Sequence, residues 1–233
     1  MSWDRARLAL PNAISATNMV LGLVSVAMSA AGRFEWAAWL IVYSTILDKA
    51  DGAVARALGA GSAFGMEMDS FSDLTSFGIA PAALTWFALT ASPGVEPAVW
   101  VGFASATWVL SSSFRLARFN LVTHEDADFF TGLPTTAAAG VYATLFLSLR
   151  DLGVLRAASP ALPALVIAFA VLMVSGLRIS KIKRRRSGIV NLLQGAAMAT
   201  TVVLSAVRAL PEVLLVLAVA YLLAGSLAGR RSG

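Results

Sequence analysis

An all-α polytopic membrane protein of about eight spanning helices, with both termini in the cytoplasm, is the fold class that this sequence predicts. Three observations predict it. The 233 residues are 58% hydrophobic and only 13% charged, with a mean hydropathy of +0.77, whereas soluble domains hold about 45–50% apolar and about 25% charged residues. Apolar stretches near the spanning length of about 20 residues recur along the whole chain. Finally, the basic residues fall unevenly on the two sides that an alternating path defines.

Residues 1–10 carry Trp3, Asp4, Arg5 and Arg7. They lack the positive start, short apolar core and small-residue cleavage site of a signal peptide, so they read as a short interfacial helix. Apolar stretches follow at 12–31, 36–58, 63–91, 97–121, 133–149, 160–180, 188–207 and 210–229. Glycine, proline or charge separates them: Gly32 to Glu35, Gly59 to Ser62, Pro93 to Pro97, His124 to Asp128, Arg150 to Pro160, Lys181 to Arg186, and Arg208 to Glu212. Alternation from a cytoplasmic N-terminus places 14 of the 18 Lys and Arg inside, leaving Arg33, Arg150, Arg156 and Arg208 outside. That asymmetry is the positive-inside pattern. Lys181 to Arg186 reads first as a topology signal and second as a contact for anionic lipid. The six tryptophans fit interface anchoring.

With no cysteine in the chain, disulfides, thiolate zinc sites, iron–sulfur clusters and cysteine nucleophiles are excluded. One histidine, His124, excludes multi-histidine metal or haem sites within one chain. The net charge of +5 and pI near 10.2 point, in a chain this apolar, to membrane lipids rather than to nucleic acid. Carboxylates are the plentiful acid–base and metal groups that remain.

Of the 13 acidic residues, five lie inside apolar stretches and outside the breaks between them: Asp48, Asp51, Glu67, Asp69 and Asp73. A carboxylate at the centre of a spanning helix costs roughly 2.5–3.5 kcal/mol, so four aspartates left alone would cost on the order of 10 kcal/mol. Cations must compensate them. Asp48 and Asp51 are three apart and Asp69 and Asp73 four apart, so each pair shares a helix face, and the short turn Gly59 to Ser62 lets the pairs converge. Two divalent cations balance four carboxylates, and oxygen-only ligation favours Mg²⁺ or Mn²⁺. Glu67 points roughly 160° from Asp69 at about 100° per residue and is not expected to ligate. Arg56 can meet a phosphate, and Gly52 and Gly65 allow a ligand to approach the backbone closely. A structural salt-bridge cluster and an acidic-site cation transporter are the competing readings. Transport requires polar groups across the full thickness, whereas the acidic residues here stop near one surface.

The spacing Asp48-x-x-Asp51-Gly52-x-x-Ala55-Arg56, eight residues, Gly65-x-x-x-Asp69-x-x-x-Asp73 resembles the signature of the CDP-alcohol phosphotransferases without a gap. The resemblance implies a six-helix membrane core, here residues 11–183, followed by a C-terminal helix pair, 184–233. It implies that Asp48, Asp51, Asp69 and Asp73 hold the metals and that Asp73 deprotonates the incoming alcohol. Arg56 would hold the pyrophosphate, with Gly52, Ala55, Gly65, Ser15 and Asn18 around the CDP donor. A homodimer is implied as well, in the inner membrane if the source is bacterial, with the site facing the cytoplasm.

The run Phe64-Gly-Met-Glu-Met-Asp-Ser-Phe-Ser-Asp-Leu-Thr-Ser-Phe-Gly-Ile-Ala-Pro-Ala82 is similar to the serine-using form of that family, in which the last aspartate is not followed by Lys or Arg. So are Leu10 to Asn18, Phe114 to Asn120, Phe130 to Pro134 and Leu172 to Ser175 with Arg178 and Lys183. The implied reaction transfers a phosphatidyl group from CDP-diacylglycerol to L-serine. Arg115 and Arg118 are the candidates for the serine carboxylate. The same chemistry with another acceptor alcohol, or with an ether-lipid donor, is the alternative.

Overall fold

A computed structural model describes residues 3–59, 62–91, 98–121, 129–180 and 188–230; within these, the side chains of 3–8, 55–56, 129–130, 178–180, 188–191, 193–194, 225 and 227–230 lie outside the described set. The described residues form an all-helical bundle with one pair of three-residue strands. In chain order the elements are α1 (Trp3–Ala30), α2 (Phe34–Leu58), α3 (Ala63–Asp73), a π-helical segment (Leu74–Ile79), α4 (Ala80–Thr90) and α5 (Ala98–Leu121). Then come β1 (Phe129–Thr131), α6 (Thr135–Asp151), the single turn α7 (Leu155–Ala158), a 3₁₀ turn (Ser159–Ala161), α8 (Leu162–Val174), β2 (Arg178–Ser180), α9 (Gly188–Val207) and α10 (Pro211–Arg230). If α3, the π segment and α4 count as one rod, each of the eight apolar stretches has its own rod among the described residues.

Two boundaries differ from expectation. Residues 3–10 are helical but continuous with the first apolar stretch, because Pro11 sits inside α1 rather than ending it. The stretch 160–180 stops being helical at Val174. Residues Arg178–Ser180 instead pair antiparallel with Phe129–Thr131. Gly132, at φ +77°, makes that pairing possible: its N–H donates to the Leu177 carbonyl at 2.7 Å and the next N–H donates to Leu172 at 2.9 Å. A Cβ on Gly132 would sit 2.3 Å from the Met173 carbonyl oxygen, so no side chain fits there.

The core lies where α2, the π segment, α4, α5, α6 and α8 meet, around Trp39, Phe77, Trp108, Tyr142, Phe146 and Met173, all at most 2% exposed. Trp108 packs on Tyr142 with ring centroids 5.6 Å apart, and the buried Tyr142 hydroxyl is 2.7 Å from Thr85 Oγ1. Large apolar side chains also point outward: Val99, Phe103, Leu110 and Phe114 on one side of α5 are 57–84% exposed. In water such a face would be a liability. Ala9–Ala30 and Leu155–Val174 are long and apolar enough to cross a membrane, and Gly195–Val207 and Pro211–Ala224 are shorter apolar helices. Helix α10 packs on α6 and buries Leu214.

Candidate active site

The turn after α2 brings the two aspartate pairs to one end of the bundle. Carboxylate oxygens of Asp48 from α2 and of Asp69 and Asp73 from α3 all lie within 4.8 Å of one another. The fourth aspartate is placed differently. Asp51 is 7% exposed, and its Oδ2 accepts a hydrogen bond from the Ser15 hydroxyl of α1. Three of the four expected ligands therefore fall into one group, while Asp51 is fixed beside it by α1. Glu67 is exposed and stands outside the group, as its helical phase predicts.

Local chemistry positions α3. Ser62 caps its N-terminus, its hydroxyl accepting from the Gly65 N–H at 3.0 Å, which satisfies one of the orphan amides of the first turn. A Cβ on Gly65 would come 3.1 Å from Asn12 Oδ1, so glycine lets α1 and α3 close on each other. Immediately after Asp73 the helix widens into the π segment. Pro81 has no N–H to give the Phe77 carbonyl one turn earlier, and the buried Trp108 indole donates to that carbonyl instead, at 2.9 Å. Ser76 donates to the Asn18 carbonyl at 2.8 Å. Gly22 lies so close that a Cβ there would be 2.8 Å from Ser76 Cα. Asp73 is thus held at the head of a segment clamped by α1 and α5. π-turns of this kind recur at functional sites.

Helix α5 brings Arg115 and Arg118 toward the same end. Arg115 Nη1 donates to Thr135 Oγ1 at 3.1 Å, and its charge lies within electrostatic reach of Asp73. Arg118 Nη2 donates to the Thr131 carbonyl at 2.9 Å. One residue pair further along, Asn120 Nδ2 donates to Ser70 Oγ at 2.9 Å, next to Asp69. Thr131, Thr135, Asn120 and Ser70 are positioning groups that spacing rules did not single out. Only the polarity of Thr135, Asn120 and Ser70 could have hinted at them, because Thr131 acts through its main-chain carbonyl, which any residue there would supply.

Of the residues expected around the donor, Gly52 follows Asp51 in α2, and Ser15 is committed to Asp51. Asn18 is 3% exposed, and its side-chain oxygen has no hydrogen-bond partner among the described residues. The side chains of Ala55, Arg56 and Arg178, and residues His124, Glu125 and Lys181 to Arg186, lie outside the described ones. The residues present fit divalent metal: three carboxylates converge, and Asp73 Oδ1 is buried with no hydrogen-bond partner among the described residues. Buried polar atoms left this way are costly without a cation or donor. Carboxylates, a candidate base and two arginines at one end of an apolar bundle can bind a phosphorylated lipid and move a proton.

A family profile described as CDP-alcohol phosphatidyltransferase matches residues 8–228. A Helicobacter pylori (strain 26695) protein named CDP-diacylglycerol–serine O-phosphatidyltransferase is 35% identical over 177 residues, covering 75% of this chain and 73% of that protein. Its counterpart in strain J99 is 40% identical over 131 residues, which is 55% of this chain and 53% of that protein, so the match spans about half the relative's length. The archaetidylserine synthase of Methanothermobacter thermautotrophicus is 34% identical over 177 residues, 75% of this chain and 71% of the relative.

Proposed function

Since the chain belongs to the CDP-alcohol phosphatidyltransferase family, we propose that it transfers the phosphatidyl group of CDP-diacylglycerol to the hydroxyl of L-serine, releasing CMP. The observation that carries this reading is the convergence of Asp48, Asp69 and Asp73 beside the Ser15-held Asp51. The names of the bacterial relatives support serine as acceptor. An ether-lipid donor is kept open by the archaeal relative.

Asp73 accepts the proton of the serine hydroxyl, because a neutral hydroxyl is a poor nucleophile. The serine oxygen then bonds to the β-phosphorus that carries diacylglycerol, and the bond from that phosphorus to the bridging oxygen of CMP breaks. No phosphoenzyme is needed. Asp48, Asp51, Asp69 and Asp73 would hold two divalent cations, Mg²⁺ or Mn²⁺, which would supply positive charge for the pyrophosphate. Arg115 and Arg118, anchored by Thr135 and Thr131, orient the serine carboxylate. Arg56 holds donor phosphate, and Gly52, Ala55, Gly65 and Asn18 border the CDP group.

The site faces the cytoplasm of a bundle of eight spans with both termini inside, in the inner membrane if the source is bacterial. Residues 11–183 form the catalytic core and 184–233 the added helix pair, and the protein works as a homodimer. What supports the orientation is that 14 of the 18 Lys and Arg fall on the aspartate side, while Arg150, paired with Glu35, and Arg208, stacked on Trp36, lie at the end of α2 far from the aspartates.

The test is CMP release by purified protein from CDP-diacylglycerol with serine, inositol, glycerol 3-phosphate or choline, each with and without chelator. Release is expected with serine and metal together. Full turnover in excess chelator would overturn the metal reading, and preference for another alcohol would overturn the acceptor.

A further inference from the structure

Thirteen residues before Asp48, at the other end of α2 and about 20 Å away along its axis, a second polar site is built from parts that the transfer reaction does not use. Gly32, Arg33, Phe34, Glu35, Trp36 and Arg150 line an open cavity of about 290 Å³. That is just below the roughly 300–1,000 Å³ usual for small-ligand pockets, so it suits a headgroup rather than a whole lipid. Arg150 is tied to Glu35. Arg33, in contrast, has no side-chain hydrogen bond or ion pair among the described residues, and it borders the same space. The Arg208 guanidinium stacks on the Trp36 ring, 4.2 Å from its centroid. Arg33 and Arg150 thus line the space with Glu35, Arg208 lies against its Trp36 wall, and Asp151 and Glu212 follow close by in the chain.

The backbone around Arg208 adds an independent observation. Helices α1, α6 and α9 all end here with the same pair of closing hydrogen bonds: Arg33 to Met28 with Gly32 to Ser29, Val154 to Leu149 with Gly153 to Arg150, and Ala209 to Leu204 with Arg208 to Ser205. This closure needs one residue in the left-handed region, normally glycine. The first two helices use Gly32 and Gly153, at φ +73° and +69°, but the third uses Arg208 at φ +50°. Leu210 follows at φ +51°, so this turn holds two non-glycine residues in the left-handed region, and of the two it is Arg208 whose side chain reaches the Trp36 ring. Offsetting the negative helix ends explains some of the arginines. It does not explain an unpaired Arg33 beside a cavity or an arginine in the strained position.

We propose that this cavity binds the phosphodiester headgroup of an anionic phospholipid in the leaflet opposite the active site, with Arg33 and Arg208 contacting the phosphate and Trp36 resting at headgroup depth. The proposal rests on the reading of the bundle as membrane-spanning and not on the acceptor alcohol. Purified protein in nonionic detergent is titrated with phosphatidylglycerol or phosphatidylcholine, and retained lipid is counted by native mass spectrometry. Phosphatidylglycerol is expected to bind more tightly, and Arg33→Gln and Arg208→Gln to weaken its tightest site roughly three- to tenfold, the effect of one partly exposed charged contact. Arg156→Gln, on the same side but neither lining the cavity nor stacked, as Arg208 is, on a residue that lines it, serves as the control and leaves that site unchanged. Equal affinity for the two lipids, no change in Arg33→Gln, or an equal loss in Arg156→Gln would overturn the proposal. Displacement of the lipid by millimolar inorganic phosphate would overturn the assignment to lipid. Neither arginine takes part in transfer, so CMP release by all three variants separates failure here from failure of the proposed reaction.

Discussion

Asp73 is set apart from the other three aspartates by its surroundings: it belongs to the carboxylate group, it heads the π segment, and its Oδ1 is buried with no hydrogen-bond partner among the described residues. Asp73→Asn keeps size and shape but cannot accept a proton. Turnover is expected to fall by about 10²–10⁴-fold while binding of CDP-diacylglycerol, followed by equilibrium dialysis, changes far less. Near-normal turnover would assign the base to another group. The aspartates were legible in the sequence because burying them is so costly that chance cannot account for five acidic residues in two adjacent apolar stretches. The Ser15 bond to Asp51 was not legible, since it joins residues 36 apart and a serine in a membrane helix usually bonds its own backbone, as Thr17 does to Ala13. The threonines that anchor Arg115 and Arg118 were hidden for the same reason: they lie on the far side of a connection, and local spacing says nothing about them.

The π segment shows how an element can be specified by two residues. Pro81 withdraws a donor and Trp108 replaces it, so the widening falls between Asp73 and α4 and sets where the acid-bearing turn faces. Gly22 decides how closely α1 can clamp it. Gly22→Ala drives a methyl to within 2.9 Å of Ser76 Cα and N, an overpacking expected to cost about 1–3 kcal/mol. Thermal unfolding should therefore begin at lower temperature and turnover should fall with it. Gly195→Ala, where a Cβ meets nothing within 4 Å, should leave both unchanged or raise stability slightly. Periodicity and breaks gave most helices to within a few residues. They failed at 175–180, where Leu177 and Ile179 continue the apolar pattern. What ends the helix is the distant Gly132 loop pairing with that backbone, a contact invisible to a local reading.

At the scale of the whole molecule, the distribution of Lys and Arg predicts the side of the membrane on which each end lies. The native chain has no cysteine, so single introduced thiols report cleanly. Ala31→Cys, in the exposed turn after α1, is expected to react with a membrane-impermeant maleimide in intact cells. Leu121→Cys, on a residue 81% exposed at the end of α5, should react only after permeabilisation. The opposite pattern would invert the orientation. Helix α10 docks on α6, buries Leu214, and sets Tyr221 with its ring centroid 5.1 Å from the Lys49 ammonium, next door to Asp48. At about 5–20 residues per second of synthesis, several seconds separate the emergence of α6 from that of α10. During that interval the face of α6 that α10 later covers lacks its partner helix, so this contact, and with it the placing of Tyr221 against Lys49, forms only once the last helix is made.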